Sequence, residues 1–179
     1  MSSVGDMQEV GLGVRIKLAS PGPEMDAIRA LRRAVFCDEQ GIFHGDDGDD
    51  IDPHALHIAA VLGMPGEPDA VVGTVRIHQA EPGVWYGSRL AVACQVRRIG
   101  SVGGGLIRLA VGSAHARGCH TFLAQVQSQN VALFEHLHWS SLAAMDLHGR
   151  PHQLMKADLD FYPPVADGAT GLLLSRSAA

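Results

Sequence analysis

The stretch over residues 88–111, SRLAVACQVRRIGSVGGGLIRLAV, constrains this chain more than any other part of its sequence. It begins as a short apolar strand over residues 90–92, passes through a basic turn at Arg97 and Arg98, and bends at a run of glycines. From Leu106 onward the apolar residues recur with the period of an amphipathic helix. The first turn of a helix has N–H groups without partners inside the helix and roughly half a positive charge. Because glycines also let the backbone approach a ligand closely, the stretch predicts a site for an anion such as phosphate.

Two common phosphate motifs do not fit this stretch. A Walker loop needs a lysine followed by serine or threonine, and Leu106 and Ile107 stand at that place. A dinucleotide fingerprint needs glycines spaced G-x-G-x-x-G, which the run does not provide. A glycine-rich turn that only packs a helix against a strand stays open as an alternative.

Composition narrows the class of protein. The chain has 179 residues, of which 46% are hydrophobic and 18% charged, as expected for one globular domain. A net charge of -5 argues against nucleic acid as the main partner. No apolar run approaches the roughly 18 residues of a membrane span, and the N-terminus lacks the hydrophobic segment of a signal peptide. With three cysteines and no paired spacing, we expect a cytoplasmic protein with free thiols, no metal site and no membrane partner.

Hydrophobic periodicity orders the elements along the chain. We expect residues 1–12 to form a flexible N-terminus, residues 13–164 the domain, and residues 165–179 a C-terminal tail outside the core. Strands are predicted over residues 13–19, 57–62, 70–79, 84–92, 120–127 and 151–159. Three helices are predicted: one that begins at residue 23, one that follows the glycine bend, and one over residues 130–142. Because a helix connects the fourth and fifth strands, these two should be parallel.

Two motifs together resemble the GNAT superfamily of N-acetyltransferases. The pyrophosphate loop of that superfamily, Gln/Arg-x-x-Gly-x-Gly/Ala, can be aligned as Arg98-x-x-Ser101-x-Gly103 or as Arg97-x-x-Gly100-x-Val102. The second motif precedes an acidic loop and is shared with the related homoserine-lactone synthases. It consists of Arg32, Val35, Phe36, Glu39, Gln40, Asp52 and His57 in that order.

The resemblance extends over about residues 13–163 and looks closest to a bacterial branch of nitrogen-starvation N-acetyltransferases found in nitrilase-type gene clusters. It implies an α/β (α+β) fold, the GNAT fold: a mixed, mainly antiparallel sheet of six or seven strands with helices on both faces. It also implies a V-shaped splay between strands four and five, which holds the pantetheine of acetyl-CoA. The implied activity is direct acetyl transfer from acetyl-CoA to the amine of a small molecule, in a protein that could form a homodimer.

Site residues follow from the same resemblance. The implied coenzyme A contacts come from the fourth strand, the glycine stretch and the turn after the fifth strand: Leu90, Ala91, Val92, Arg97, Arg98, Gly100, Ser101, Gly103, Gly104 and Asn130. A backbone N–H near residues 90–92 would polarise the thioester carbonyl. An amine with a pKa of about 10.4 is protonated at neutral pH and needs a base. Glu39 is the first choice for that base, with His57, His78 and Tyr86 as the other candidates.

Phe134 departs from the implied pattern. It stands where many GNAT enzymes have a tyrosine that protonates the leaving thiolate, so His136, His138 or water would have to act instead. A non-catalytic acyl-CoA-binding module is therefore the alternative function. The acidic residues between Asp46 and Asp52 do not have calcium-loop spacing, and we expect a solvated loop that could attract a cationic amine.

Overall fold

The computed structural model describes residues 13–63, 66–98 and 101–175. The sequence-based expectations for residues 1–12 and for Gly100 lie outside these ranges. Within them, eight strands form one mixed sheet in the order β6-β7-β5-β4-β3-β2-β1-β8. The strands are β1 (Gly13–Leu18), β2 (Leu56–Gly63), β3 (Ala70–Glu81), β4 (Val84–Val92), β5 (Thr121–Gln127), β6 (Trp139–Leu147), β7 (Arg150–Ala157) and β8 (Leu172–Ser175).

Three α-helices accompany the sheet: α1 (Pro23–Arg32), α2 (Ser101–Ala116) and α3 (Val131–His136). A π-helical segment, Arg33–Glu39, extends α1. Single 3-10 turns lie at Asp52–His54, Cys94–Val96, Ser128–Asn130 and Leu159–Phe161. The described ranges contain no helix long and apolar enough to cross a membrane.

Helices α1 and α2 lie on opposite faces of the sheet. A Cβ built on Gly73 would point at Leu106 of α2, whereas Ala91, the cross-strand neighbour of Thr74, packs with Val35 and Phe36 beyond α1. Successive residues of a strand point to opposite faces. The side chains of Arg76 and His78 therefore lie on the α1 side, and Val75 lies on the α2 side.

The main hydrophobic core lies between the sheet and α2. Glycine costs helical stability, but two glycines of α2 allow close packing there. A Cβ on Gly105 would lie 3.2 Å from side-chain atoms of Ile16 and Leu174, and one on Gly112 would lie 2.8 Å from Val165. Burial of the apolar face of α2 outweighs this cost.

Three sequence-based boundaries are corrected by the structure. The glycine run does not precede α2, because the helix already begins at Ser101 and includes it. The helix expected over 130–142 ends at His136, and residues 139–147 form β6. The tail also contributes β8, which pairs antiparallel with β1 through Leu172–Ser175. The sheet therefore has eight strands rather than six or seven, and part of the segment expected outside the core belongs to it.

Candidate functional site

A gap opens in the middle of the sheet between β4 and β5. The two strands are parallel and pair from Val84 with Thr121 to Gly87 with Ala124. Beyond those residues both strands continue, to Val92 and Gln127, but these parts of β4 and β5 do not pair with each other. A cavity of about 590 Å³ opens at this divergence, within the size range of ligand pockets.

A β-bulge in β4 faces the gap. Ser88 pairs with Arg76 and Ala91 with Thr74, so Arg89 and Leu90 together oppose Val75. Arg89 has φ 54°, a left-handed conformation that is strained for a residue other than glycine. Bulges of this kind occur next to active sites, where they interrupt pairing and redirect the backbone.

A backbone N–H at the end of β4 points into the same gap. The N–H of Ala93 donates to the Val72 carbonyl on β3, at 2.8 Å. Because backbone groups alternate along a strand, the N–H of Val92 points away from β3, toward the diverging strands. Its carbonyl, on that side, accepts from Arg97 Nε at 2.9 Å. The N–H of Val92 is thus available to a carbonyl oxygen in the gap.

The first turn of α2 lies beyond the end of β4. Ser101 is exposed, and a Cβ on Gly103 would meet no atom within 4 Å, so open space adjoins this backbone. Gly104 lies deeper, where a Cβ would be 3.8 Å from Leu137. The amides of Ser101, Val102 and Gly103 belong to the turn whose N–H groups have no partner within a helix. Together they can bind an anion at the open end of the gap.

Arg97 and Glu39 form an ion pair near that turn. Both guanidinium Nη atoms contact the carboxylate, Nη2 at 2.8 Å from Oε2, and the side chains are 40% and 42% exposed. Hydrogen bonding from Arg97 lowers the pKa of Glu39, which weakens it as a base. Glu39 is also absent from the residues that line the cavity, whereas Arg98 is exposed and lies beside Arg97.

His78 and Tyr86 line the cavity on the α1 side. They are cross-strand neighbours on β3 and β4, with stacked rings 5.8 Å apart. Burial, aided by the positive charge of Arg76, lowers the pKa of His78, so its imidazole is neutral at pH 7. Its Nδ1 is buried and has no hydrogen-bond partner among the described residues. His78 can therefore accept a proton in this cavity.

His152 is a second cavity histidine, which the sequence analysis did not single out. It is buried on β7 opposite Gln127, and its Nδ1 lies 2.9 Å from the Arg150 carbonyl. A carbonyl accepts but cannot donate, so in the neutral form of this imidazole Nδ1 carries the proton and Nε2 has the lone pair. The sequence gave no functional signal for His152, because the face of the sheet on which its side chain lies depends on the pairing of β7 with β5.

The acidic loop is solvated only in part: Asp46 and Asp50 are exposed as expected, whereas the other three carboxylates are paired. Asp47, Asp49 and Asp52 bind three arginines, Arg32, Arg76 and Arg89, in one network. Arg32 donates from Nε to Asp47 at 2.8 Å and from Nη1 to Asp52 at 2.7 Å. These carboxylates are therefore neutralised rather than presented to an incoming cation.

The network also holds the bulge in place. Arg89 Nε donates to Asp47 Oδ2 at 3.0 Å, and its guanidinium lies 4.5 Å from the ring centre of Phe43. Burial alone would raise the pKa of Asp52, but hydrogen bonds from Arg32 and Arg76 outweigh it and hold that pKa well below its usual range. The strained backbone at Arg89 is thus fixed by the ion pairs of its side chain with Asp47 and Asp49.

The remaining predicted residues divide between the cavity and its surroundings. Leu90 and Asn130 line the cavity, as does Phe134, which packs edge-on against Trp139 at 5.1 Å. The side chain of Ala91 faces Val35 and Phe36 on the α1 side. Further from the gap are three histidines: His136 and His138 are exposed, and His57 has its Nε2 3.2 Å from the Asp52 carbonyl.

Solved structures with a similar fold were identified. The sequence matches no protein-family model and no curated protein. A protein from Lactobacillus plantarum provisionally assigned as an N-acetyltransferase superposes with a TM-score of 0.68 at 23% identity, over 80% of this chain and 97% of that one. An acyl-CoA N-acyltransferase from Pseudomonas aeruginosa gives a TM-score of 0.62 at 17% identity, over 81% and 99%. An aminoglycoside 6'-N-acetyltransferase solved with coenzyme A gives 0.64 at 16%, over 79% and 94%.

These similarities define the fold class. The chain has a GNAT-like α/β fold, with a mixed sheet and helices on both faces. At these identities the likeness concerns the fold alone, and what the chain does must be argued from its own site.

Proposed function

We propose that this chain is an acyl-CoA-dependent N-acyltransferase that moves an acyl group, acetyl in the simplest case, to the amine of a small molecule. The observation that supports it most strongly is the gap between β4 and β5, which joins an inward-facing amide, an anion-binding helix turn and a cavity. Coenzyme A has a diphosphate, an extended arm with two amides and a terminal thioester. Each of these parts has a matching feature along the gap.

The diphosphate is held by the first turn of α2. The amides of Ser101, Val102 and Gly103, with Gly104 close behind, supply donors, and Arg98 supplies an exposed positive charge. Arg97 serves mainly to hold Glu39 and the Val92 carbonyl. The unpaired edge of β4 and the side chain of Asn130 are placed to pair with the amides of the pantetheine arm.

The reaction is a direct attack within the ternary complex. The amine nitrogen bonds to the thioester carbon, the carbonyl oxygen gains charge that the Val92 N–H stabilises, and the C–S bond then breaks. His78 first takes a proton from the ammonium form of the acceptor, with Tyr86 packed against its ring and His152 as the second candidate base, and the neutral amine then attacks. The nitrogen loses its second proton to water as the C–S bond breaks. Phe134 cannot donate a proton, so the thiolate leaves unprotonated or takes a proton from water.

Two measurements separate catalysis from binding alone. Calorimetry should detect acetyl-CoA binding, and thiol release with a panel of small amines should then exceed the rate without amine. Binding without thiol release for any amine would favour the alternative, an acyl-CoA-binding module, for which Phe134 is the supporting observation. No binding of any thioester would contradict both functions.

Replacing His78 tests the proposed base. The H78N variant should lose about 10²-fold in kcat/KM while still binding acetyl-CoA, because proton transfer and not cofactor binding is removed. The matched control is H54N, at an exposed histidine away from the cavity, which should leave kcat/KM unchanged. If H152N alone lowered the rate, the base would be His152 instead.

The finer resemblance supports a narrower proposal about lineage. The residues VFCDEQG, QNVALFEHLHW and GRPHQLMKADL look most similar to the nitrogen-starvation N-acetyltransferase branch. We also propose a small-molecule amine as the acceptor and a homodimer as the assembly.

A further inference from the structure

Two segments of the chain form walls of the cavity on the α1 side of the sheet. One is the loop after the π-helical segment, where the N–H groups of Ile42 and Phe43 donate to the Phe36 carbonyl at 2.9 Å and 3.3 Å. The other is the turn between β6 and β7, which contains His148 and follows Leu147. The rings of Phe43 and His148 meet edge to face, with their centres 4.8 Å apart. The two walls therefore meet across this side of the cavity.

Hydrophobic side chains on this side of the cavity are partly open. Ile42, Phe43, Ile51, Tyr86 and Leu147 line the cavity, and each is half-buried, unlike the residues packed in the core between the sheet and α2. A ligand group between them would remove accessible apolar surface from water, which favours binding. This side of the cavity therefore suits a ligand with a hydrophobic body.

Asp49 is the one carboxylate among the described residues that line the cavity, and its acceptor positions are already used. Its Oδ1 accepts from Arg76 Nη1 and from the N–H of Ile51, and its Oδ2 accepts from Arg76 Nη2 at 2.8 Å and from Arg89 Nη2 at 3.3 Å. A carboxylate has about four such positions. A second ammonium group on the acceptor would therefore find no anionic partner in the cavity.

The two guanidinium groups that line the cavity are also paired. Arg76 is 2% exposed and donates four hydrogen bonds to neighbouring side chains. Arg89 forms ion pairs with Asp47 and Asp49. The acidic loop, residues 46–52, contains five carboxylates, and the three arginines of the network neutralise only three of them. A carboxylate on the acceptor would therefore be repelled by the remaining negative charge.

We infer that the acceptor is a hydrophobic monoamine, an amine whose remaining structure carries no charge, such as a phenylalkylamine. This inference rests on the proposed function and specifies its acceptor. The hydrophobic body lies between Phe43 and Leu147, and the amino group points to His78 on β3. Amino acids and polyamines are poor acceptors, because each brings a second charge for which the cavity has no partner.

Acyl transfer removes the single charge of such an acceptor. The ammonium gives one proton to His78, the neutral nitrogen bonds to the acyl carbon, and the second proton goes to water as the C–S bond breaks. Coenzyme A leaves as the thiolate. The product is an uncharged amide.

Matched pairs of amines test the inference. Phenylalanine is phenethylamine with an added carboxylate, and hexamethylenediamine is hexylamine with a second amino group. Thiol release from acetyl-CoA gives kcat/KM for each amine. We expect kcat/KM to be at least about tenfold higher for phenethylamine than for phenylalanine, and for hexylamine than for the diamine, because a charge without a partner is costly to desolvate. Phenylalaninol, which is branched like phenylalanine but lacks the carboxylate, should behave like phenethylamine.

Failure of this inference and failure of the proposed function give different results. An equal or higher kcat/KM for the doubly charged member of either pair would overturn this inference and leave the proposed function standing. No thiol release with any amine would overturn the proposed function, and this inference with it.

A charge added to one wall of the cavity provides a second test. The L147E variant adds a carboxylate without a partner, and should shift the ratio of the kcat/KM values of diamine and hexylamine at least about tenfold toward the diamine. I42E does the same from the opposite wall, in case L147E fails to fold. The matched control is L142E, at a leucine of the same strand that is 54% exposed and outside the cavity, which should keep the ratio of the unmodified protein. An unchanged ratio in folded L147E or I42E would place the acceptor elsewhere and overturn the inference.

Discussion

Two sets of ion pairs border the candidate site, and they differ in burial rather than in chemistry. The network of Asp47, Asp49 and Asp52 with three arginines is largely enclosed, and the side chains of Arg32 and Asp47 are each 3% exposed. The pair of Arg97 with Glu39 is bidentate as well, but its side chains are 40% and 42% exposed. Both join residues far apart in sequence.

The difference in burial assigns them different roles. The network links α1, the acidic loop and the bulge of β4. Because a buried charge that loses its partner is left uncompensated, removing one member of the network should cost much of the free energy of unfolding. An exposed pair is screened by water and contributes little to stability. The first set is therefore structural, fixing the backbone at Arg89, whereas the second can rearrange when a ligand arrives at α2.

Removing Arg32 should have the largest effect. The R32M variant keeps much of the side-chain volume but leaves Asp47 and Asp52 without this partner, and should lose about 3–5 kcal/mol of unfolding free energy. Urea denaturation measures this. The control is R29M on the same helix, whose pair with Asp26 is 63% and 77% exposed and should contribute at most about 1 kcal/mol. Equal losses in the two variants would mean that burial does not distinguish the pairs.

Acidification should have the second-largest effect, because it weakens the network of aspartates and arginines. The folded-state pKa of Asp52 lies below its unfolded value of about 3.9, so its stabilising contribution is complete above that pH and is lost as the pH falls toward the folded value. The D52N variant, already less stable at neutral pH, should show a shallower decline between about pH 4 and pH 2. Urea midpoints across that range give both slopes.

The matched control for acidification is D26N, at an exposed carboxylate, which should follow the slope of the unmodified protein. Parallel curves for D52N and the unmodified protein would show that Asp52 does not carry the acid sensitivity.

Local sequence patterns predicted much of the fold, but they did not predict the ion pairs or the pairing of the edge strands. The central strands and α2 follow from alternation and helical periodicity, since each buries an apolar face. Edge strand β6 lacks that signal, because Ser140, Ser141, Leu142, Ala143 and Ala144 are all exposed and the strand depends on its pairing with β7. The four-residue β8 likewise depends on the free edge of β1.

The candidate site likewise has features that local sequence patterns predict and features that depend on residues far apart in sequence. A helix start beside the glycine run was predicted because a helix start is a local feature, although α2 begins at Ser101 rather than after the glycines. Anion binding by this turn stays a prediction. The acidic loop was misread, because its partners lie 15 to 42 residues away on α1, β3 and β4. The place of Glu39 along the chain favours it as a base, but Arg97, 58 residues on, binds its carboxylate. Long-range pairing, which sequence spacing does not encode, therefore decides whether a carboxylate is a free base or a neutralised partner.

The smallest expected effect is that of E39Q, which separates these two roles for Glu39. An exposed pair contributes about 0–1 kcal/mol, so the variant should be nearly as stable as the unmodified protein. Its kcat/KM should fall by less than about tenfold, whereas loss of a general base would cost about 10²-fold or more. Release of Arg97 also leaves more positive charge beside the first turn of α2, so acetyl-CoA should bind as tightly or more tightly, with a steeper dependence on salt. A large loss of turnover with unchanged acetyl-CoA binding would instead restore Glu39 as the base and show that the ion pair opens when the acceptor binds.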